Sequence, residues 1–430
     1  MRGKKGRGMN MPWIGTIPEH WVSLRAKNMF SKQNRPVRQE DDVVTCFRDG
    51  TVTLRKNRRT TGFTESTQWS GYQGVRKGDL VIHIMDAFAG SIGVSDSDGK
   101  STPVYSVCTP KMDLNSYYYA YLLREMARTG FIQSLYRGIR ERSSDFRFEV
   151  FAGLNFPIPP RNEQDQIVRY LDWKVSLINK LINAKRRQIG LLKEQIDVLT
   201  NEAVSHYQEK KRLKHMVKII CNWIVRKTDS VYSPVGVLNR GRGVFHKEIL
   251  QGIDLGDSDF FEVKPNTLLF SGQFAWEGAV AITTEKEKGC IASHRYYAVR
   301  GVDDICKTEY LWAFFQSKNG DMLLNDCSHG AAGRNKPLNF NELLNEYVPV
   351  PEFSIQKEIV RSVHLYLKYR DDVKKLDMLL TEYRTRLISD VVTGKLDVRG
   401  VVVPKYEVVE ETAAAESAEG IEAETEEMEE

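Results

Sequence analysis

The chain matches itself at an offset of about 190 residues, so whatever its first part folds into, its second part must fold into as well. At an offset of 192, Arg48 matches Arg240, Ser101 matches Ser293, Tyr105 and Val107 match Tyr297 and Val299, and Tyr118 matches Tyr310. The same register carries Gly138 onto Gly330, Phe148 onto Phe340, Pro157 and Pro159 onto Pro349 and Pro351, Gln164 onto Gln356, and Ile167-Val168 onto Ile359-Val360. Leu80 to Gly90 aligns with Leu268 to Gly278 at 188, so small loop insertions separate two parallel copies.

Each copy has one internal order. Short apolar, β-branched runs between turn residues read as strands, such as Leu80-Val81-Ile82 after Gly78-Asp79 and Leu268-Leu269-Phe270 after Pro265-Asn266. An aromatic-rich helix is expected next, over Tyr117 to Met126 and Tyr310 to Gln316, followed by a polar loop holding Gly138 or Gly330. Proline punctuation, Pro157-Ile158-Pro159-Pro160 or Pro349-Val350-Pro351, then closes the copy.

Beyond the prolines the apolar spacing changes to steps of three and four. In the first copy the stripe is Val168, Leu171, Val175, Ile178, Ile182, Ile189, Leu192, Ile196, Leu199 and Ala203, interrupted at Lys185. In the second it is Ile359, Val363, Tyr366, Val373, Leu376, Leu380, Tyr383, Leu387 and Val391, interrupted at Arg370. Such a stripe is a coiled-coil seam, and Asn162 and Ser354 stand where capping residues are expected. Helices over Glu163 to Val204 and Ile355 to Val392 would each be roughly 60 Å long. Neither seam is expected to find cover on its own small head, so the two should pair as an antiparallel coiled coil with the heads at opposite ends. The expected fold class is α+β: a tandem, pseudo-two-fold repeat of two mixed α/β domains separated by two long helices that form the coiled coil.

Charge points to the ligand. The net charge of +5 conceals eleven Glu and no Lys or Arg from Glu407 onward, which leaves +16 on Met1 to Tyr406. A body that basic fits a polyanion such as nucleic acid. The Glu- and Ala-rich end after Arg399 is expected to be disordered, with an acidic mimic that competes for the basic body as the alternative. Mean hydropathy of −0.42 and the lack of a long apolar run exclude a membrane-spanning helix, and no secretory leader is visible, so a cytoplasmic protein is expected.

Catalytic signatures are missing. There is no phosphate-binding G-x-x-x-x-G-K-[ST] and no H-E-x-x-H, the six cysteines and eight histidines form no ligand-spaced cluster, and no metal site is expected. Gly241-Arg242-Gly243 lacks the third glycine of a dinucleotide turn, and Asn155-Phe156-Pro157 lacks the paired prolines with which amino-methyltransferases hold a flipped base. Binding is the better class. Candidate DNA-contacting residues are Arg55, Lys56, Asn57, Arg58 and Arg59, with Arg137, Arg140 and Arg142, in the first copy. In the second they are Arg240 and Arg242, with Arg334, Asn335 and Lys336. Arg and Asn can read guanine and adenine edges, whereas Lys and many Arg contacts reach only phosphate.

With these residues in view, the chain resembles the specificity subunit of Type I restriction-modification systems from about Trp13 to Arg399. The likeness is carried by Ile17-Pro18-Glu19-His20-Trp21 with Leu24, by Arg212-Leu213-Lys214, and by Pro157 to Pro160 with Glu163-Gln164, Ile167 and Leu171-Asp172. It is also carried by Val392-Thr393-Gly394-Lys395-Leu396-Asp397-Val398-Arg399. Ile355, where the family often has Glu, and the acidic end depart from the pattern. The resemblance implies a non-catalytic subunit with a target-recognition domain over 1–160, a central helical spacer over 161–210, a second target-recognition domain over 211–353 and a helical spacer over 354–399, before the tail at 400–430. It implies that each domain reads half of a split double-stranded DNA site, and that the helices dock two adenine-N6 methyltransferase subunits and two restriction subunits. S-adenosylmethionine, ATP and Mg would act on those partners, with no cofactor on this chain. The competing readings are a coiled-coil regulator of a split operator and a single-chain DNA methyltransferase or nuclease.

Overall fold

The computed structural model describes residues 10–58, 71–135, 145–207, 209–330 and 336–411. Contacts divide the chain into two compact units, one of residues 1–183 and 377–430, the other of residues 184–376. The division falls inside both long helices, so each unit holds a head, the head-proximal half of one helix and the far half of the other.

The head of the first unit is built on a four-stranded antiparallel sheet. Strands β1 (Phe30–Lys32), β2 (Leu80–His83), β3 (Ile92–Val94) and β4 (Tyr105–Pro110) lie in the order β1-β4-β2-β3. On β2, Leu80 and Ile82 enter the main core, while Val81 joins a smaller core with Val44, Val52, Val75 and Val107. Successive strand side chains face opposite ways, so a sheet covered on both faces reads as an unbroken apolar run. Helix α1 (Ser116–Arg128) closes the main core. Its first amides, of Tyr117 and Tyr118, donate to the Asn115 side chain at 2.9 and 3.4 Å.

At the end of this head comes α2 (Arg161–His206), which runs into the second unit. There, β5 (Val217–Ile219), β6 (Leu268–Ser271), β7 (Val280–Ile282) and β8 (Tyr296–Gly301) form a sheet in the order β5-β8-β6-β7. The order is that of the first head, strand for strand. Leu268 and Phe270 enter the main core and Leu269 the smaller one, repeating the division seen on β2. Helix α3 (Thr308–Gln316) is buried almost all round, and α4 (Phe353–Val392) follows the head.

Head and long helix are joined by the same device twice. Pro157 and Pro349 lie in short strands, Asn155–Ile158 paired with Val22–Arg25 and Tyr347–Pro349 paired with Lys210–Arg212, and the remaining prolines follow them. Gln164 and Gln356 are buried in the first turn beyond them. The Gln164 amide donates to the Pro159 carbonyl at 2.8 Å and accepts the Asn115 N–H at 2.8 Å. Gln356 donates to the Pro351 carbonyl at 2.8 Å and accepts the Lys307 N–H at 2.9 Å. Each glutamine thus satisfies backbone groups that burial would otherwise strand. The caps differ from expectation. Both helices start one residue before Asn162 and Ser354, and the first free amides donate to backbone: Glu163 and Gln164 to the Pro160 carbonyl, Ile355 and Gln356 to that of Glu352.

The copies are not identical in detail. Tyr118 and Tyr310 are each the third residue of their helix, yet the proline carbonyls are taken by Tyr119 (3.2 Å to Pro157) and Tyr310 (2.8 Å to Pro349). The Tyr118 hydroxyl donates instead to the Val392 carbonyl at 3.0 Å.

Within the first unit the two helix segments run antiparallel, for Arg384 donates to Asn179 at 3.1 Å while Val168 and Leu171 share a core with Leu387, Val391 and Val392. The expectation that neither seam finds cover on its own head needs correction. Val168 and Leu171 belong to the core of the first head, and Ile359, Val363 and Tyr366 to that of the second, because a three-four stripe specifies a buried face and not what covers it. Ile178, Ile182, Ile196, Ala203 and Val373 are also buried; Val175, Ile189, Leu192, Leu199, Leu376 and Leu380 are half-buried. Tyr383, expected in the seam, is 52% exposed. The interruption at Lys185 has a polar partner, its ammonium donating to the Tyr369 hydroxyl at 2.8 Å.

The C-terminal segment departs from the expected disorder as far as Glu411. Its carbonyls accept from α2: Val401 from Gln166 at 2.6 Å, Val409 from Asn179 and Glu410 from Asn183 at 2.9 Å each. Among the described residues, no helix is long and apolar enough to cross a membrane.

Candidate nucleic-acid interface

In the first head the strand Val52–Leu54 ends in a single tight turn, Arg55–Asn57, that presents the first candidate cluster. Each side chain there has a local partner. Arg55 donates to the Thr45 hydroxyl at 3.4 Å, Asn57 to the Thr53 hydroxyl at 2.8 Å, and the exposed Lys56 pairs with Asp42 at 2.7 Å. Arg58 lies over the Phe47 ring at 5.2 Å and pairs with Asp49. Exposed pairs of this kind add little stability and exchange readily for a phosphate. Arg59, Arg137, Arg140, Arg142, Arg334 and Asn335 lie outside the described residues.

Arg58 borders a cavity of about 570 Å³ whose other arginines are Arg48, Arg124, Arg128 and Arg384. Of these, only Arg48 carried a signal in the sequence, as the repeat partner of Arg240. The remaining three arrive from two helices, and no local pattern places them together.

In the second head the structure connects Arg240 with Lys336 through one turn, Phe274 to Gly278. The Arg240 and Gly241 amides donate to the Glu277 and Gly278 carbonyls at 2.8 and 2.9 Å. Lys336 sits over the Trp276 ring of that turn at 5.0 Å. Gly241-Arg242-Gly243 is a turn bearing arginine: at Gly241 the φ of +67° strains any L side chain, and a Cβ, 1.7 Å from the Gln316 amide oxygen, would displace that amide. Gly243 passes the Arg370 guanidinium, which accounts for the break in the second stripe. The Arg242 guanidinium donates to the Asn239 carbonyl at 3.1 Å. Trp276 was missed in the sequence because a lone aromatic in a turn carries no periodic signal.

Burial pushes the thiols of Cys46, Cys108, Cys221, Cys290 and Cys306 upward, and that of Cys327 to about 12, so they are protonated and poor nucleophiles at neutral pH. Among the described residues, no group of three His, Cys, Asp or Glu could hold a metal ion.

Residues 208–375, nearly the whole second unit, match the family described as the Type I restriction modification DNA specificity domain. The second unit is similar to a Type I specificity domain. The fold agrees across both units. A chain from a structure titled for complex assembly and conformational transition of the type I R-M system superposes with a TM-score of 0.55 at 12% identity, covering 89% of this chain and 100% of its own. The Type I restriction-modification S subunit from M. genitalium superposes with a TM-score of 0.50 at 14% identity, over 86% of this chain and 96% of its own. No curated protein matches the sequence. The family match of the second unit, its strand order repeated in the first, and a fold shared with these chains over both units all agree with one another.

Proposed function

We propose that this chain is the DNA specificity subunit of a Type I restriction-modification system, that it reads a bipartite double-stranded DNA site, one half by each head, and that it docks adenine-N6 methyltransferase and restriction subunits through its helical segments. S-adenosylmethionine, ATP and Mg act on those partners, two of each kind, in the cytoplasm. The observation that carries the reading is the repeated strand order with a basic turn in the matching two-stranded hairpin of each head, Arg48 beside Asp86 and Arg240 on Glu277. Two like reading heads on one chain call for two half-sites.

Mapping of methylated adenines in cells carrying Arg242→Ala tests it. One half-site should relax while the other keeps its bases, because base-edge contacts act locally. Altered bases in both halves would defeat the modular reading. A chain that binds a split operator without any co-purifying methyltransferase would instead be a regulator.

A further inference from the structure

The arginine cavity of the first head is already occupied in part by the chain's own carboxylates. Its arginines are Arg48, Arg58, Arg124, Arg128 and Arg384, against only Asp49 and Glu125 from the head. The C-terminal segment adds Glu410 and Glu411 to the lining. Glu411 pairs with Arg384 at 2.6 Å, both less than one-third exposed, and Glu410 approaches Arg58 at 3.6 Å. Backbone contacts hold the segment there, since Val409 exchanges hydrogen bonds with Ser176 (3.3 Å) and Asn179 (2.9 Å). Eight more Glu follow in the sequence and no base.

A surplus of guanidinium groups facing one cavity attracts anions of any source, and carboxylates tethered beside it occupy it by local concentration. We propose that this cavity is a binding site for DNA backbone phosphate in the first head, and that Glu410 and Glu411 are its internal competitors, displaced when duplex binds. The proposal rests on the DNA-reading function above and adds Arg48, Arg124, Arg128 and Arg384 to the contact surface. It also explains why an acidic end belongs on a basic chain: the competitor suppresses weak, sequence-independent attachment, whereas a full site outcompetes two carboxylates. Both contacts are electrostatic, so the competition fades as salt rises.

The test compares the full chain with its Glu410→Gln, Glu411→Gln double variant, which keeps the size and the backbone docking of the segment. Binding to a non-specific DNA duplex at low salt should tighten about three- to tenfold in the variant, as expected for two partly exposed ion pairs, and the difference should shrink at high salt. A second measurement needs no variant: hydrogen exchange at the Val409 amide of the parent chain should quicken when duplex is added. Equal affinity of parent and variant, or bound duplex with Val409 still protected, overturns the competition and leaves DNA binding standing. Duplex bound by neither chain overturns the DNA reading and the proposal with it.

Discussion

The two head-to-helix junctions share a buried glutamine and differ in the residue beside it. At the first, Glu163 accepts hydrogen bonds from His20 Nε2 at 2.8 Å and the Trp21 indole N–H at 3.1 Å. At the second, Ile355 stands there and packs against the core, while a different buried carboxylate, Glu309, meets His364 at 2.9 Å. The glutamine answers a demand of the backbone, which any copy of the fold must meet. Its neighbour answers only local packing, and an apolar or a fully bonded polar residue serves equally. The first junction has an added layer: the C-terminal turn at Gly394 closes over Pro18 and Trp21, so two segments far apart in the sequence meet around Glu163.

The sharpest way to break this comparison is to remove what the junctions share. Gln164→Leu and Gln356→Leu should each cost about 2–4 kcal/mol, since each leaves a buried N–H and a buried carbonyl without a partner. Denaturant unfolding would measure it, with hydrogen exchange locating the loss at Asn115 or Lys307. A cost confined to one of them would mean the junctions are not equivalent.

Next comes the residue that differs. Glu163→Leu should cost about 1–3 kcal/mol by orphaning the Trp21 indole N–H, whereas Ile355→Leu should cost under about 1.5 kcal/mol as a volume-conserving change. Thermal unfolding of the pair would show whether the polar lock belongs to the first junction alone.

The added layer is tested at glycine. Gly394 has φ +75°, and a Cβ there would lie 2.6 Å from Pro18 and 2.7 Å from Trp21. Gly394→Ala should therefore cost about 1–2 kcal/mol, while Gly400→Ala, with nothing nearby, should be close to neutral. Equal unfolding midpoints for the two variants would remove the turn from the lock.

The smallest effect concerns pH. The Arg399 guanidinium hydrogen-bonds Asp397 and holds its carboxyl at about 2. A carboxylate depressed in the folded state contributes stability above its unfolded value and loses it as pH falls, here from about 4 towards 2. Asp397→Asn should thus flatten a slight acid-side slope in unfolding midpoint and leave the midpoint at neutral pH nearly unchanged, because the pair is exposed and screened.

Sequence alone determined the duplication, the strand runs, the proline punctuation and the two long helices. These are written in local period and spacing, and the observed helices agree with the expected ones to within two residues at each end. Candidate site residues were legible where charge clusters in one turn, as at Arg55 to Arg58, or where the repeat and a glycine turn mark a position, as at Arg48, Arg240 and Arg242. Tertiary structure decided what residues far apart do together. Tyr118 and Tyr310 share a helical position, yet only the first reaches a carbonyl 274 residues away, at Val392. Arg384 is an ordinary helical arginine until Asn179 and Glu411 surround it, and Arg370 breaks a stripe because a glycine turn passes over it. A hydrogen bond or ion pair is set by distances of a few ångströms in space, and neighbours of that kind leave no period in the sequence.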